Sequence, residues 1–448
     1  MNNYSLKETI YAPASAPQKS GIIVVRVSGQ DTFNAIERLQ ISKIKPRYAT
    51  VTKIYHPETK ELIDNCVVVY YKAPRSFTGE DVLEINIHGG KAVLKSLLDA
   101  LSSIPNFRSA EPGEFSMRAL FNGKLDLAQV EGLADLINAE TTEQHKLALK
   151  QMSGDLSKIY EGWRKKLLKT MSLLEACIDF SEEDIPDDLS TKAERSVKEL
   201  NNDIQKYLQD NRVGEKLREG LYVAILGATN VGKSSLINKI ARRDVAIVSH
   251  LEGTTRDVIE VELDMKGYPV IIADTAGIRE SAEVIETEGI KRSLARAKHA
   301  DCKLIVLDAT SQSHPENILD LIDENSIVVL NKIDLLKTTA VENFISDKKI
   351  NYISTQTEEG LDELIKSLSE FAEKFFYSAC STPLITRQRH REQLIKCSEC
   401  LSRFELQKGI EFAAEDLRLA ASHLARITER IDVDSILGEI FSNFCIGK

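Results

Sequence analysis

The residues with the clearest chemistry form a glycine-rich loop, Gly227-Ala-Thr-Asn-Val-Gly-Lys-Ser-Ser235. It lies between an apolar run, Leu221–Leu226, and a helical pattern that begins at Lys233, which is the strand-loop-helix setting that a phosphate-binding loop requires. Backbone N–H groups of such a loop meet the β-phosphate together with the positive end of a helix dipole. We expect Lys233 to bridge the β- and γ-phosphates and the Ser234 hydroxyl to ligate Mg²⁺.

Two further motifs each follow an apolar run. Asp274-Thr-Ala-Gly277 follows Val270–Ala273 and places a Mg²⁺-side carboxylate and a γ-phosphate-contacting glycine at a strand end. Asn331-Lys-Ile-Asp334 follows Ile327–Leu330. The Asp334 carboxylate suits the paired N–H donors on N1 and N2 of guanine, a pair that adenine lacks. The predicted nucleotide is therefore GTP.

The segment between the loop and the second motif contains Gly253-Thr-Thr-Arg-Asp257, where a threonine hydroxyl can complete Mg²⁺ coordination. Thr255 is the predicted ligand. After Gly277 comes Ile278, not the glutamine with which Ras-like enzymes orient water, so another group must organise hydrolysis. The candidates in the acidic stretch that follows are Glu280, Glu283, Glu286 and Glu288.

Two other polar positions belong to the same site. Asn230 in the phosphate loop can offer its side-chain oxygen to a monovalent cation beside the β- and γ-phosphates, although an asparagine that merely suits the turn explains it equally well. Ser354 and Thr355 follow an apolar run at Ile350–Ile353 and suit the last guanine-contacting loop.

Length and composition indicate an ordinary globular chain. The 448 residues are 42% hydrophobic and 28% charged, which predicts about three domains. The first residues have no apolar core of the signal-peptide kind, and no apolar run is long enough to span a membrane, so we expect a cytoplasmic protein without membrane contact. Seven scattered cysteines favour reduced thiols. The net charge of −10 gives no general attraction to nucleic acid, so any RNA contact must come from a local patch.

Pattern changes along the chain divide it into four segments. Strand patterns dominate residues 1–120, an α/β domain, and helical spacing dominates 121–214. The nucleotide module covers 215–380, and helix resumes over 381–448. We expect continuous helices at about 191–217 and about 384–444. The prediction is a multidomain α/β plus all-α fold, in which a Ras-like P-loop module is inserted into one helical domain.

Three polar residues of the first segment stand out. Arg26 and Glu84 lie within strand patterns, and Lys124 follows Asn122-Gly123. Spacing alone favours a solvated strand face for the first two and a turn lysine for the third.

Several blocks identify a family. They are Phe77-Thr-Gly-Glu-Asp-Val-Leu-Glu84, His88-Gly-Gly90, Pro112-Gly-Glu-Phe115, Asn122-Gly-Lys-Leu-Asp-Leu-Ala-Gln129 and the closing Phe444-Cys-Ile-Gly-Lys448. Together with the GTP motifs, they make the chain resemble the MnmE (TrmE) family of tRNA-modifying GTPases from end to end.

The resemblance implies a function beyond GTP hydrolysis. Such proteins act with MnmG, an FAD- and NADH-dependent partner, to add a carboxymethylaminomethyl-type group to C5 of the wobble uridine of certain tRNAs. Their N-terminal domain resembles folate-dependent one-carbon enzymes, forms the homodimer contact and binds a tetrahydrofolate derivative, 5,10-methylene- or 5-formyl-tetrahydrofolate. By motif position the folate contacts are Arg26, Glu84, Lys124 and Lys448. Cys445 matches a cysteine once proposed to act in the modification chemistry.

The resemblance also implies K⁺-dependent hydrolysis with paired nucleotide modules. The K⁺ ligands would be Asn230, Ser249, Leu251 and Thr254, and the Mg²⁺ ligands Ser234 and Thr255. Glu286 would position the attacking water and act with Lys233 in catalysis. Ser249 stands where the family has threonine, and Thr355 where alanine is usual. The predicted GTP contacts are Asn230, Val231, Gly232, Lys233, Ser234, Ser235, Ser249, His250, Leu251, Glu252, Gly253, Thr254, Thr255, Asp274, Thr275, Ala276, Gly277, Asn331, Lys332, Asp334, Ser354 and Thr355.

Three alternatives remain at this point. A ribosome-assembly GTPase would share the GTP motifs, but such proteins usually carry a second nucleotide module or an RNA-binding domain after the first. A stand-alone folate-dependent transferase would leave the module at 215–380 without a role. A binding switch that does not hydrolyse GTP is separated from the others by a turnover assay.

Overall fold

A computed structural model describes residues 7–16, 18–179, 187–243, 245–247, 260–274, 300–311, 313–336, 344–377, 384–428 and 447. The chain forms two compact units. The first comprises Met1–Ala134 with Leu424–Lys448, and the second Asp135–His423. The helical region and the nucleotide module thus fall in one unit, and the domain limits given above stay a prediction.

The first unit contains a six-stranded sheet in the order β3-β4-β5-β2-β1-β6. Its strands are β1 (Thr9–Pro13), β2 (Ser20–Ser28), β3 (Thr50–Tyr55), β4 (Leu62–Tyr71), β5 (Val82–Gly89) and β6 (Phe107–Ser109). The alternation in β5 explains its place: Leu83, Ile85 and Ile87 are fully buried, while Glu84 and Asn86 face the other side. All pairings are antiparallel except β1 with β6.

Helices α1 (Thr32–Arg38), α2 (Lys91–Ser102) and α3 (Glu114–Phe121) accompany this sheet. Leu94, Leu97 and Leu101 recur at helical spacing on α2 and enter the same core as the buried residues of β5. The predicted α/β character of this part of the chain is confirmed, while β1, β3, β6, α1 and α3 were not individually predicted. Two of these are short, with little pattern to detect: β6 has 3 residues and β1 has 5.

The helices of the rest of the chain are α4 (Leu127–Asn138), α5 (Thr142–Met152), α6 (Asp155–Asp179), α7 (Asp187–Leu208), α8 (Val213–Glu219), α9 (Lys233–Ile240), α10 (Glu316–Leu319), α11 (Leu361–Phe376), α12 (Gln388–Arg403) and α13 (Ile410–Thr428). Helices α7 and α12 pack together, and the Ser398 hydroxyl donates to the Asn201 side chain at 2.7 Å. Of the described residues, no helix is long and apolar enough to cross a membrane.

The two continuous helices expected from the sequence are wrong in detail. The first ends at Leu208 and resumes at Val213, because Asn211 and Arg212 adopt the left-handed conformation, which a helix cannot contain. The second is interrupted between α12 and α13, where Gly409 has φ 121°. Apolar residues at helical spacing did not reveal either break, and residues 429–444 of the second predicted helix lie outside the described residues.

The second unit contains a seven-stranded sheet in the order β12-β13-β11-β10-β7-β9-β8. Its strands are β7 (Leu221–Leu226), β8 (Glu260–Met265), β9 (Tyr268–Asp274), β10 (Cys302–Asp308), β11 (Ser326–Asn331), β12 (Phe344–Ile345) and β13 (Lys348–Tyr352). The five strands from β13 to β9 run parallel, which confirms the predicted α/β module. Strand β11 is buried at every residue, as central parallel strands are.

Close contacts join this module to the helices of the same unit. The Glu143 N–H, at the start of α5, donates to the Gly267 carbonyl in the β8–β9 turn at 3.1 Å. Within the module, Tyr268 of the same turn stacks on Phe376 at the end of α11, with ring centroids 5.2 Å apart. The backbone of Gly214 in α8 lies directly against that of Ile385. The chain therefore enters and leaves the module at neighbouring points.

Candidate functional site

The predicted nucleotide residues gather at one edge of the second sheet. The phosphate loop follows β7, Asp274 ends β9, Asp308 ends β10, Asn331 ends β11, and Ser354 comes soon after β13. Because these strands are parallel, their carboxyl ends meet at the same edge, where α/β sheets bind ligands.

The phosphate loop has the backbone that its sequence predicts. Asn230 and Gly232 both have positive φ, 63° and 99°, and α9 begins directly afterwards at Lys233. The Lys233 side chain is buried, and its ammonium donates to the carbonyls of Gly227 and Ala228 at 2.9 and 2.7 Å. The positive charge therefore lies within the loop itself, where phosphate oxygens would replace these two acceptors.

Asn331 ties the phosphate loop to the guanine loop. It is fully buried; its amide donates to the Val231 carbonyl at 2.8 Å, and its carbonyl oxygen accepts from the Thr355 N–H at 3.1 Å. The approach is so close that a Cβ at Gly232 would overlap the Asn331 amide, so this position requires glycine for its space as well as its φ. Asn331 and Thr355 are thus brought together with the loop, and Asn331 acts as a brace between the two segments.

Asp334 is exposed, and a hydrogen bond from Ser354 orients its carboxylate. The buried Ser354 hydroxyl donates to Asp334 Oδ1 at 2.6 Å. Ser354 Oγ in turn accepts from the N–H groups of Gln356 and Thr357 at 3.2 and 3.1 Å. These two donors leave the hydroxyl proton for Asp334, so the carboxylate is held while its second oxygen stays open to a ligand.

Asp308 belongs to this site and was missed in the sequence. Its Oδ2 accepts from Lys332 Nζ at 2.6 Å, and its Oδ1 accepts from the N–H and hydroxyl of Thr310 at 2.9 and 2.7 Å. Burial would raise the pKa of Asp308, but the hydrogen bonds from Lys332 and Thr310 outweigh burial and lower that pKa. An aspartate at a strand end beside the strand of Asn331 was the available signal.

Many of the predicted residues lie outside the part of the chain that the structure describes. They are Ser249, His250, Leu251, Glu252, Gly253, Thr254, Thr255, Thr275, Ala276, Gly277, Glu286, Cys445 and Lys448. Asp274 is placed by its backbone alone, at the end of β9. Val231, Ser234 and Ser235 lie in the phosphate loop and the first turn of α9.

In the first unit, Arg26 and Glu84 face each other on adjacent strands, β2 and β5. Arg26 donates to Glu84 Oε1 through Nη2 at 2.8 Å and Nε at 3.1 Å. Tyr71 donates to the other Glu84 oxygen at 3.3 Å. The Arg26 guanidinium also lies 5.4 Å from the Phe77 ring centroid and 5.7 Å from that of Phe115. The predicted pair is thus a half-buried ion pair between aromatic rings, not a solvated strand face.

Of the other two predicted folate contacts, the structure describes Lys124, but only the neighbour of Lys448, Gly447. Lys124 Nζ donates to the Pro74 carbonyl at 3.0 Å, and its aliphatic stem passes Gly79, so it borders the segment that carries Phe77. The backbone of Gly447 lies against that of Pro13 at the end of β1. Since β1 pairs with the strand of Arg26, Gly447 lies beside the sheet that carries the Arg26–Glu84 pair.

A buried ion network in the same unit was not predicted. Arg118 is fully buried and donates to Glu80 and Glu114 at 3.1 Å each, and to the Glu8 carbonyl at 2.8 Å. Arg108 binds Glu114 through two nitrogens at 2.7 and 2.6 Å. Glu114 lies in one of the blocks that carry the family resemblance, where no role was assigned to it.

The pKa of Glu114 gives this network a pH dependence. Burial alone would raise that pKa, but the hydrogen bond from Arg108 and the positive charges of Arg118 and Arg108 outweigh burial and hold the pKa below its ordinary value. A carboxyl whose pKa is lowered on folding stabilises the fold above its unfolded pKa of about 4.3, and that stability is lost as the pH falls through the folded pKa.

We expect the urea midpoint of the first unit to fall steeply below about pH 4.3 for this reason. Hydrogen exchange of peptides from residues 82–121 would follow it in the full chain. Glu114→Gln should be less stable at neutral pH and lose part of this pH dependence. An unchanged dependence in that variant would contradict the assignment.

The sequences of both units match those of known proteins. The family model described as MnmE helical domain matches residues 127–445, and the model described as GTP-binding protein TrmE N-terminus matches residues 9–124. The tRNA modification GTPase MnmE of Rickettsia rickettsii (strain Sheila Smith) is 49% identical over 445 residues, which is 98% of this chain and 100% of that protein. The protein of the same name from Rickettsia bellii (strain OSU 85-389) is 48% identical over the same shares.

Among solved structures, the G domain of the T. maritima FeoB iron transporter is 26% identical and covers 34% of this chain and 98% of that one, with a TM-score of 0.26. A TM-score this low carries no family assignment, which comes instead from the two family models and the MnmE relatives. These matches run through both units and include the segments that carry the phosphate loop and the Arg26–Glu84 pair. The chain belongs to the MnmE family.

Proposed function

We propose that this protein hydrolyses GTP and acts in tRNA modification. The observation that carries the proposal is Asn331, which joins a phosphate loop to a loop where Ser354 holds Asp334 ready for guanine. Membership of the family supports the second half, because relatives matched over their full length are named tRNA modification GTPases.

Hydrolysis at this site is a matter of position and charge. Loop N–H groups and Lys233 hold the β- and γ-phosphates, and Asp334 selects guanine. The Thr355 N–H donates to Asn331 and holds the guanine loop against the phosphate loop. Ser234 and Thr255 would hold Mg²⁺, which neutralises phosphate charge when bound. The Ser234 hydroxyl stands at the first turn of the helix that follows the loop, the position that fits such a ligand.

A second cation completes the proposal. Asn230, with Ser249, Leu251 and Thr254, would hold K⁺, and Glu286 would position water. The left-handed backbone of Asn230 also suits an asparagine that serves only the turn. The effect of K⁺ on turnover distinguishes these two roles.

Steady-state GTP turnover in KCl, compared with NaCl at equal ionic strength, tests this. We expect turnover about tenfold or more faster in KCl, because a positive charge beside the phosphates stabilises the transition state. Asn230→Ala should lose the K⁺ stimulation and keep the rate seen in NaCl. Equal rates in both salts would remove the K⁺ assignment.

For the first unit we propose a folate site. The Arg26–Glu84 pair, enclosed by Phe77, Phe115 and Tyr71, offers a charged, aromatic setting for a tetrahydrofolate derivative. Lys124 and Lys448 would complete it, and the bound folate would supply the one-carbon unit. With MnmG as partner and a homodimer formed through the N-terminal domain, the product would be a carboxymethylaminomethyl-type group on C5 of the wobble uridine of certain tRNAs, made in the cytoplasm.

A further inference from the structure

Four basic side chains surround one turn at the end of β4. Lys72 and Arg75 belong to the turn, which the Arg75 N–H closes on the Lys72 carbonyl at 3.1 Å. Arg47 donates to the Arg75 carbonyl, and Lys124 donates to the Pro74 carbonyl at 3.0 Å. Three separate segments thus bring positive charge to one place. We call Arg47, Lys72, Arg75 and Lys124 the basic rim.

The charge of the basic rim is not neutralised. All four side chains are exposed, and none of them forms an ion pair with a carboxylate among the residues that the structure describes. The carboxylates of the adjoining segment, residues 80–84, are already engaged. Asp81 accepts from the Tyr70 hydroxyl and the Ala73 N–H at 2.8 Å each, Glu80 pairs with Arg118, and Glu84 pairs with Arg26.

Aromatic groups accompany these cations. The Arg47 guanidinium lies 5.8 Å from the centre of the Tyr71 ring, and Tyr48, the next residue in the chain, is 66% exposed. Tyr71 also binds Glu84, so the basic rim adjoins the Arg26–Glu84 pair. Cations with an exposed aromatic ring are the surface that nucleic acid uses, through phosphate contacts and base stacking.

The geometry points to the basic rim as the surface that binds the phosphate backbone of tRNA next to the Arg26–Glu84 pair. This inference rests on the proposed function, since it needs an RNA substrate. With a net charge of −10, the chain as a whole repels a polyanion, so binding requires a local concentration of unpaired cations. The spread of the four cations over an exposed surface suits an extended polyanion better than the short carboxylate tail of a folate.

Binding of unfractionated tRNA by the full chain, measured by fluorescence anisotropy at several KCl concentrations, tests the inference. Lys72→Ala combined with Arg75→Ala should weaken binding about tenfold and lower the slope of log Kd against log salt by about one to two, one for each lost phosphate contact. Lys72→Glu with Arg75→Glu should weaken it further. GTP turnover by these variants, measured without tRNA, should equal that of the wild type.

The matched control is Lys91→Ala with Lys95→Ala, which removes the same charge from exposed positions of α2 in the same unit. It should leave both the affinity and the salt slope within about twofold of wild type. An equal loss in both double variants would show general electrostatics and overturn the inference.

Other outcomes separate the inference from the proposed function. Unchanged tRNA binding by the rim variants, with tRNA modification intact in the wild type, overturns the inference and leaves the function standing. Weakened binding of pentaglutamyl 5-formyl-tetrahydrofolate, but not of its monoglutamate or of tRNA, assigns the basic rim to the folate tail and also overturns it. A wild-type chain that binds tRNA through the basic rim but does not hydrolyse GTP refutes the function and supports the inference.

Discussion

Asp334→Asn is expected to weaken GTP binding by about 10³- to 10⁴-fold and to make the protein prefer xanthosine triphosphate. The guanine N1 and N2 groups donate to a carboxylate, and an asparagine would present its own N–H donors to one of them. Xanthine carries an oxygen at the C2 position, which an asparagine N–H can meet. Competition of both nucleotides against a fluorescent GDP analogue measures the exchange of preference.

The control for this variant is Asp320→Asn, the same chemical change at an exposed position of the same unit. It should bind GTP as the wild type does. If Asp334→Asn kept GTP affinity within about tenfold, the carboxylate that Ser354 holds would not be the guanine acceptor.

Arg118→Ala is expected to destabilise the first unit by about 3–5 kcal/mol. The guanidinium is fully buried between Glu80 and Glu114, so its removal leaves Glu114 facing Arg108 alone and Glu80 with no cation. Arg118→Met combined with Glu80→Gln should recover part of the loss, because Glu114 keeps Arg108 and the carboxylate left without a cation is removed. The urea midpoint of the first unit, followed by hydrogen exchange in the full chain, reports the effect.

Two comparisons make this measurement specific. Arg38→Ala, at an exposed position of α1, should change stability by less than about 0.5 kcal/mol. Trp163 is the single tryptophan and lies in the second unit, so its fluorescence should show unchanged unfolding there. A loss below about 1 kcal/mol in Arg118→Ala would mean that Arg118 does not carry the network.

The nucleotide site was largely predictable because its information is local. The phosphate loop, Asn331 and Asp334 each stand next to an apolar strand run, and parallel strands bring such ends together. Asp308 was missed because its role depends on Lys332, which comes from another strand. The brace formed by Asn331 depends on space at Gly232, which no spacing rule reveals.

The first unit was less predictable for the same physical reason. Arg26 and Glu84 are 58 residues apart, and only the pairing of β2 with β5 places them opposite each other. Arg118 binds the Glu8 carbonyl across 110 residues. Side chains at such separations carry no periodic signal, so their charges resemble solvated surface charges in the sequence. The family blocks directed attention to Arg26 and Glu84, but not to the buried Arg118 network of the same unit.

The contact between Gly214 and Ile385 bears on how the chain folds. Asn201 and Ser398, which hold α7 to α12, are 197 residues apart, and closing an unstructured loop of that length costs about 5 kcal/mol in chain entropy. The nucleotide module lies within this loop and, once folded, sets the Gly214 and Ile385 backbones side by side. The folded module thereby shortens the effective loop, so the helices on either side meet at little further entropic cost. Destabilising the module should slow the assembly of these helices, even though none of their own contacts has changed.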